Sequence, residues 1–389
     1  MIKESTIENT NLPSGWAIKN LPEISKDFDR KRVPITKSKR ISGEVPYYGA
    51  SGIVDYVKDF LFDEDLLLVS EDGANLLART YPIAFSISGK TWVNNHAHIL
   101  KFEEPTTQKF VELYLNSIKL DEFVSGMAQP KLNKTKLNSI PIPLPLIAEQ
   151  KQIVSILDKA FAAIDRAKAN AEQNLQNAKE LFESYLQNVF ENKGDDWEEK
   201  TLGEIGKVSM CKRILKKDTS PSGEIPFYKI GTFGKKPNAF ISREKYEEFR
   251  SKYSFPKVGD VLLSASGTIG RRVIFDGKPG YFQDSNIVWI DNNGEIVLNE
   301  FLNEFYGYCD WNPSKGATIS RLYNDDLRRI KISYPKSKEE QKQIVEKLDS
   351  LSAETKKLES IYTQKLADLE EMKKSILQKA FSGQLTTIN

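Results

Sequence analysis

Glu149-Gln150-Lys151-Gln152-Ile153-Val154 recurs letter for letter, about half a chain later, as Glu340-Gln341-Lys342-Gln343-Ile344-Val345. Each copy follows a proline-punctuated extended run, Ile140-Pro141-Ile142-Pro143-Leu144-Pro145 in the first case and Ile330-Lys331-Ile332-Ser333-Tyr334-Pro335 in the second. Each also opens a charged segment in which apolar or small residues return every three or four positions. In the first these are Ile153, Leu157, Phe161, Ile164, Ala167, Ala171, Leu175, Ala178, Phe182, Tyr185 and Val189. In the second they are Ile344, Leu348, Leu351, Leu358, Tyr362, Leu366, Leu369, Met372, Ile376 and Ala380, with Thr355 filling one place. One apolar seam sustained over about six heptads predicts a long helix in each half. Neither stretch contains Pro or Gly, and Gly194 and Gly383 follow where helix stop signals belong.

A helix of about 45 residues spans roughly 65 Å at ~1.5 Å per residue. One small domain cannot cover such a seam, so the two helices are expected to pair with each other or with a partner helix. An antiparallel pair would set the two globular parts at opposite ends of a rod.

The duplication extends beyond the repeat. Trp16-Ala17-Ile18-Lys19-Asn20-Leu21-Pro22-Glu23-Ile24 is answered by Trp197-Glu198-Glu199-Lys200-Thr201-Leu202-Gly203-Glu204-Ile205, and Gly43-Glu44-Val45-Pro46-Tyr47-Tyr48 by Gly223-Glu224-Ile225-Pro226-Phe227-Tyr228. Asp65-Leu66-Leu67-Leu68-Val69-Ser70 matches Asp260-Val261-Leu262-Leu263-Ser264, and Gly126 and Leu132 match Gly316 and Leu322. Several matches in one order identify an internal repeat. Short β-branched and aromatic runs at 66–69, 81–87, 96–102, 225–230, 261–263, 272–275 and 287–290 read as strands, and 107–119 and 298–308 as helices. The expected fold class is α+β: two similar domains, 1–145 and 193–336, joined by long helices at 146–192 and 337–385 that form an antiparallel coiled coil, with a tail at 386–389.

Composition excludes more than it proves. The 389 residues carry a net charge of +2, and no apolar run approaches the ~18 residues of a membrane span. Two distant cysteines suggest neither a disulfide framework nor a metal site, so a reducing cytoplasm is expected. Residues 197–336 hold 23 Lys/Arg against 18 Asp/Glu, whereas 1–145 are balanced at 18 each. Any contact with nucleic acid must therefore be local rather than carried by bulk charge.

A search for catalytic chemistry finds little. Ala84-Phe85-Ser86-Ile87-Ser88-Gly89-Lys90-Thr91 loosely matches a P-loop, but Trp92-Val93-Asn94-Asn95 is poor material for the helix a phosphate cradle requires, and a hairpin turn is the better reading. His96 and His98, the only histidines, would share a strand face without a third metal ligand. No Asn-Pro-Pro-Tyr/Phe motif is present, and no proline precedes an aspartate as a nuclease signature requires. No catalytic residue and no cofactor are expected on this chain. What remains is binding, for which the basic residues Lys37, Lys39, Arg40, Lys131, Lys212, Arg213, Arg271, Arg272 and Lys315 are candidates that could hold phosphates.

The repeat, the Trp-containing openings and the C-terminal Ile376-Leu377-Gln378-Lys379-Ala380-Phe381-Ser382-Gly383-Gln384-Leu385 resemble, over essentially the whole chain, the specificity subunits of type I restriction-modification systems. The resemblance implies that each globular part is a target-recognition domain reading one half of a bipartite double-stranded DNA sequence. It further implies that two adenine-methyltransferase (modification) subunits dock on the helices and that ATP-dependent restriction subunits can join them. Because the two halves differ between their shared anchors, the target should be non-palindromic. The loops expected to face DNA carry Tyr48, Ser51, Ser70, Asn75, Gln129 and Asn133 in the first half, and Tyr228, Lys229, Thr232, Ser266, Thr268, Ser320 and Arg321 in the second. Gln150, Ile153, Leu157, Gln341, Ile344 and Leu348 are expected to meet the modification subunits. A coiled-coil scaffold without sequence-specific DNA binding is the alternative.

Overall fold

The computed structural model describes residues 12–126, 128–311 and 321–386. The chain divides into two compact units, one holding the described residues of Met1–Glu172 and Gln364–Asn389, the other Gln173–Thr363. Both divisions fall inside a long helix, because each helix gives its two ends to different units. The helices span Ile147–Glu191 and Lys338–Phe381. Among the described residues no helix is long and apolar enough to cross a membrane.

In the first unit, a four-stranded antiparallel sheet runs in the order Lys26–Asp27, Ala97–Lys101, Leu66–Ser70, Ala84–Ile87. Leu67, Val69 and Leu100 pack with Val111, Tyr114 and Leu115 of the helix Pro105–Ser117. On the opposite face Leu66, Leu68 and Ile99 pack with Phe62 and Val93 of a second sheet. A strand covered on both faces has no reason to alternate polar and apolar residues, hence the unbroken run Leu66–Val69. The second sheet, Gly52–Val57, Ser42–Gly49, Lys90–Val93 and Phe62–Asp63, contains one parallel pair, Tyr47 to Trp92 and Tyr48 to Val93. The turn at Ser88-Gly89 joins strands of different sheets, so the P-loop-like stretch is a sheet-to-sheet crossover and not the expected hairpin.

The second unit repeats the plan. Lys207–Ser209, Ile287–Asp291, Val261–Ser264 and Arg272–Ile274 form its antiparallel sheet, covered on one side by Phe301, Leu302 and Phe305 of the helix Asn299–Tyr308. Ile225–Tyr228 runs parallel to Tyr281–Phe282, with Phe227 opposite Tyr281 and Tyr228 opposite Phe282. A helix at Arg243–Lys252 has no counterpart in the first domain.

Each domain closes on itself where its long helix begins. Ala17–Lys19 pairs with Ile142–Leu144, and Trp197–Thr201 with Lys331–Pro335, so opening and final strands lie side by side. The indole of Trp16 donates to Glu149 Oε1 at 3.1 Å, and that of Trp197 to Glu340 Oε1 at 3.3 Å. The next residue of the repeat is buried. Gln150 Nε2 donates to the Pro145 carbonyl at 2.8 Å while its Oε1 accepts from Thr107 Oγ1 at 2.8 Å. Gln341 Nε2 donates to the carbonyls of Pro335 and Ile296 at 2.8 and 3.0 Å, and its Oε1 accepts from the Leu298 amide at 2.8 Å.

The helix seam is antiparallel within each unit. In the first, Ile153 and Leu157 pack with Leu377, Ala380 and Phe381, Lys373 stands over the Phe161 ring, and Lys168 pairs with Glu370 at 2.7 Å. In the second, Tyr185 and Val189 meet Ile344, Val345 and Leu348. Thr355 sits in the seam as expected, buried, its hydroxyl satisfied by the Leu351 carbonyl at 2.9 Å. Leu358 and Met372, expected in the seam, are exposed. The helix ends carry aromatics onto the domains: Phe381 lies 5.2 Å from both Phe110 and Tyr114, and Phe190 stacks on Tyr308 at 5.1 Å and meets Phe301 at 5.4 Å.

Gln341→Ala leaves one buried amide and two carbonyls unpaired, and should destabilise the chain by about 3 kcal/mol. Lys342→Ala, an exposed change one residue on, should stay within about 0.5 kcal/mol. Thermal unfolding of both variants checks the difference.

Candidate nucleic-acid interface

In each domain four loops are tied together by backbone bonds. In the first, the Asn94 amide donates to the Tyr48 carbonyl at 3.0 Å, Glu71 to His96 at 2.9 Å, Gly73 to Pro130 at 3.0 Å and Leu132 to Glu71 at 2.8 Å. In the second, Gln283 donates to Tyr228 at 2.9 Å, Ala265 to Asn286 at 2.8 Å and Leu322 to Ala265 at 2.9 Å. Isolated bridges, Asp72 with Lys131 and Ser266 with Arg321, mark the same crossing. The loops expected from sequence as separate candidates, around Tyr48, Ser70–Asn75 and Gln129–Asn133 in the first half and around Tyr228, Ser264–Arg272 and Arg321 in the second, are therefore one surface in each domain, as far as their described residues go.

The sequence reading missed one loop in each weave, Asn94–His96 and Gln283–Asn286. A polar run between two apolar strands was the available signal. Its importance comes from the parallel strand pair, which delivers it beside Tyr48 and Tyr228, each held by an aromatic neighbour, Phe85 at 6.0 Å and Phe282 at 5.7 Å.

The two surfaces differ in charge state. In the first domain the basic side chains are held by internal acids. Arg32 donates to Glu71 at 2.6 Å and to the Ala97 carbonyl at 2.8 Å, Lys131 pairs with Glu71 at 3.2 Å, and His96 with Asp72 at 2.8 Å. His98 is buried, between Asp29 at 2.6 Å and the Leu132 carbonyl at 2.9 Å. Burial alone would raise the Asp29 carboxyl, but the bond and charge of His98, the Ile99 amide and Arg32 outweigh it and hold it below its ordinary value. Burial likewise opposes, and Arg32, His98 and Lys131 overcome, in lowering the Glu71 carboxyl.

In the second domain a basin of about 370 Å³ is lined by Arg213, Lys216, Lys229 and Arg321 together with Gln283 and Asn286. Arg213 Nε donates to Asp284 Oδ2 at 2.8 Å, Arg321 Nη2 to the Ser285 carbonyl at 3.1 Å, and Ser266 Oγ to Asn286 Oδ1 at 2.7 Å. Fixed guanidinium groups beside amides, open to solvent, suit phosphate and base-edge recognition.

Other candidates have structural tasks. Asn133 caps the short helix Lys134–Asn138 through the Lys136 amide at 3.0 Å, and both ends of the Asn75 amide bind Tyr81 backbone at 2.9 Å. Ser70 is buried and donates to the Ala50 carbonyl, steadying the loop that carries exposed Ser51. Arg40 pairs with Asp55 at 2.9 Å and covers the Tyr47 ring, Lys212 stands over Tyr253, and Thr232 closes its own turn with Lys229. Arg271 donates to the Phe233 carbonyl at 3.1 Å. Arg272 lies against the helix Asn299–Tyr308 at Gly307, where any Cβ would collide with its guanidinium, and its charge acts on the buried Glu304. Its guanidinium is therefore turned toward that helix, against the expectation that it stands free in a loop. Lys37 and Lys39 are exposed on a single 3-10 turn, and Gln129 and Thr268 are exposed in loops. Lys315 and Ser320 lie outside the described residues.

The six positions expected to meet a partner are corrected by burial. Gln150, Ile153, Leu157, Gln341 and Leu348 are at most 3% exposed and Ile344 is half-buried, all covered by the chain itself. They seat each domain on its helix, because an apolar seam that finds cover within the chain has none left to offer.

Comparison with known proteins agrees with this architecture. A family model described as the type I restriction modification DNA specificity domain matches twice, at residues 13–176 and 194–368. A Haemophilus influenzae protein named as a type I restriction enzyme specificity subunit is 45% identical over 344 residues, covering 86% of this chain and 88% of that one. The EcoBI specificity subunit of Escherichia coli is 25% identical over 70% of this chain and 64% of its own length. Among solved structures, one from a study of complex assembly and conformational transition of the type I R-M system has a TM-score of 0.71 at 18% identity, covering 96% of this chain and 99% of that one. The HsdS subunit of Thermoanaerobacter tengcongensis has a TM-score of 0.61 at 18% identity, over 97% and 99%.

Carboxyls whose values are lowered in the fold stabilise it above their ordinary range, and that stabilisation is lost as pH falls through it. The double change Asp29→Asn with Glu71→Gln should therefore lower the melting temperature at pH 7, and the variant should lose less further stability than the parent between pH 5 and pH 3. Melts across that range check the sign.

Proposed function

The chain belongs to the type I restriction-modification DNA specificity family, and on that premise we propose that it reads a bipartite, non-palindromic sequence in double-stranded DNA, one half per domain, for adenine-methyltransferase subunits. The observation that carries this reading is the four-loop weave, built twice from the same backbone bonds and furnished with different side chains. Equal frames with unequal contents are what two different half-sites require. The chain itself contributes recognition and no chemistry: the modification subunits bring S-adenosylmethionine and the methyl transfer, and restriction subunits bring ATP-driven translocation. It works in the cytoplasm, where its DNA is.

The buried seam bears on docking. Two modification subunits would take the outward faces of the helices, where Ile156, Leu181, Leu358, Ile361 and Met372 remain exposed, and not the repeat residues inside. A scaffold lacking DNA recognition would have no use for a basin of fixed guanidinium and amide groups.

The test is to produce the full chain with the methyltransferase encoded beside it and to map methylated adenines in the host genome. A split motif with unlike halves is expected; random or absent methylation would favour the scaffold. On the mapped duplex, Arg321→Ala should weaken binding by ~1–3 kcal/mol at fixed salt. Arg271→Ala should cost less, since Arg321 lines the basin and Arg271 does not. Unchanged affinity in both variants would remove these residues from the interface.

A further inference from the structure

The loop Gln283–Asn286 is one residue longer than its counterpart. The bonds that bracket it are the same in both domains, Asn94 to Tyr48 and Glu71 to His96 in one, Gln283 to Tyr228 and Ala265 to Asn286 in the other. The added residue is accommodated at Ser285, whose φ of 58° lies in the left-handed region that non-glycine residues enter at a cost. Its carbonyl accepts from Arg321 Nη2 at 3.1 Å, and its hydroxyl donates to Asp284 Oδ2 at 3.4 Å. The same Asp284 oxygen accepts from Arg213 Nε at 2.8 Å.

That ion pair is lopsided. The Asp284 side chain is 15% exposed and that of Arg213 67%, so a nearly buried carboxylate anchors an arm that stands in solvent at the basin. An arginine gripped at Nε has its side edge occupied and its end edge, the Nη1 and Nη2 pair, available. Neither Nη of Arg213 makes a hydrogen bond among the described residues. Two parallel donors at fixed spacing match the O6 and N7 acceptors of guanine in the major groove, and no other base offers that pair. In the weave of the first domain, Arg32 offers no such arm: it is 15% exposed and bound to Glu71 and a backbone carbonyl.

We propose that Asp284 is a positioning residue that aims Arg213 at a guanine in the half-site read by the second domain. This rests on the DNA-reading function proposed above. It gives the inequality of the two half-sites a chemical content, a guanine contact made by a preset guanidinium fork in one domain and absent from the other.

The experiment uses the full chain in complex with its methyltransferase subunits, and duplexes in which each base pair of the mapped target is replaced in turn. Asp284→Ala should weaken cognate binding about tenfold. The loss should be confined to one G·C pair, whose replacement then no longer matters, with the slope of log affinity against log salt unchanged. Arg213→Lys should lose the same pair while keeping its charge, and Asp284→Asn, which retains an acceptor for Nε, should recover part of the discrimination. Melting temperatures of all three verify folding. Simple electrostatics predicts the opposite sign, tighter binding when an acid is removed from a DNA-facing surface. Cognate binding by Asp284→Ala that is equal or tighter, with every base preference intact, overturns the positioning role and leaves the pair an ordinary surface salt bridge. If the parent complex itself fails to distinguish target from scrambled DNA, it is the reading function that has failed.

Discussion

A glutamine buried at the start of each long helix is the constraint on which the rest depends. Gln150 and Gln341 sit where a strand ends in proline and a helix begins, a junction that leaves carbonyls and amides without regular partners. An amide side chain can donate and accept at once, so one residue satisfies the outgoing strand and the domain body together. The preceding glutamate, in the first helical turn where a negative charge is favoured, takes the indole of the residue that opened the domain. First strand, last strand and helix are thereby fixed to one another, and the direction in which each domain leaves its helix follows from them.

Much of this was legible because it is local. The two long helices, the apolar runs 66–69 and 261–263 and the strands around them are properties of neighbouring residues, and they stand where the spacing put them, although Leu358 and Met372 turn out of the seam. What was not legible depends on distant pairing. Nothing near Asn94 or Gln283 announces that a parallel strand pair will bring their loops to Tyr48 and Tyr228. Nor does a loop asparagine reveal whether it will cap a helix, as Asn133 does, or stand free. Arg272 misled for a similar reason: it follows another arginine in a glycine-containing loop, but its place is decided by Gly307, a residue on another element. The repeat residues themselves were found easily and given the wrong audience, since a motif kept intact in both halves can serve the chain's own packing as well as a partner.

The two domains also show how one frame can hold different electrostatics. In the first, Glu71 absorbs the charges of Arg32 and Lys131 and Asp29 holds His98 inside the weave. In the second, Asp284 fixes one guanidinium and a backbone carbonyl another, and the basin keeps a surplus of positive charge. The backbone bonds that knit the loops are indifferent to this exchange, which is what lets side chains vary without disturbing the fold.

The junction before each tryptophan carries a further consequence. In the second domain, the Trp197 amide closes a turn on the Gly194 carbonyl, and covalent chain leads back through it to Phe190. In the first, Trp16 closes the same turn on Pro13, but there the neighbour is not covalent: Gly383 rests against Pro13, Thr386 donates to Glu149 at 2.7 Å, and Phe381 lies just behind. A peptide link in one half is replaced by contact in the other.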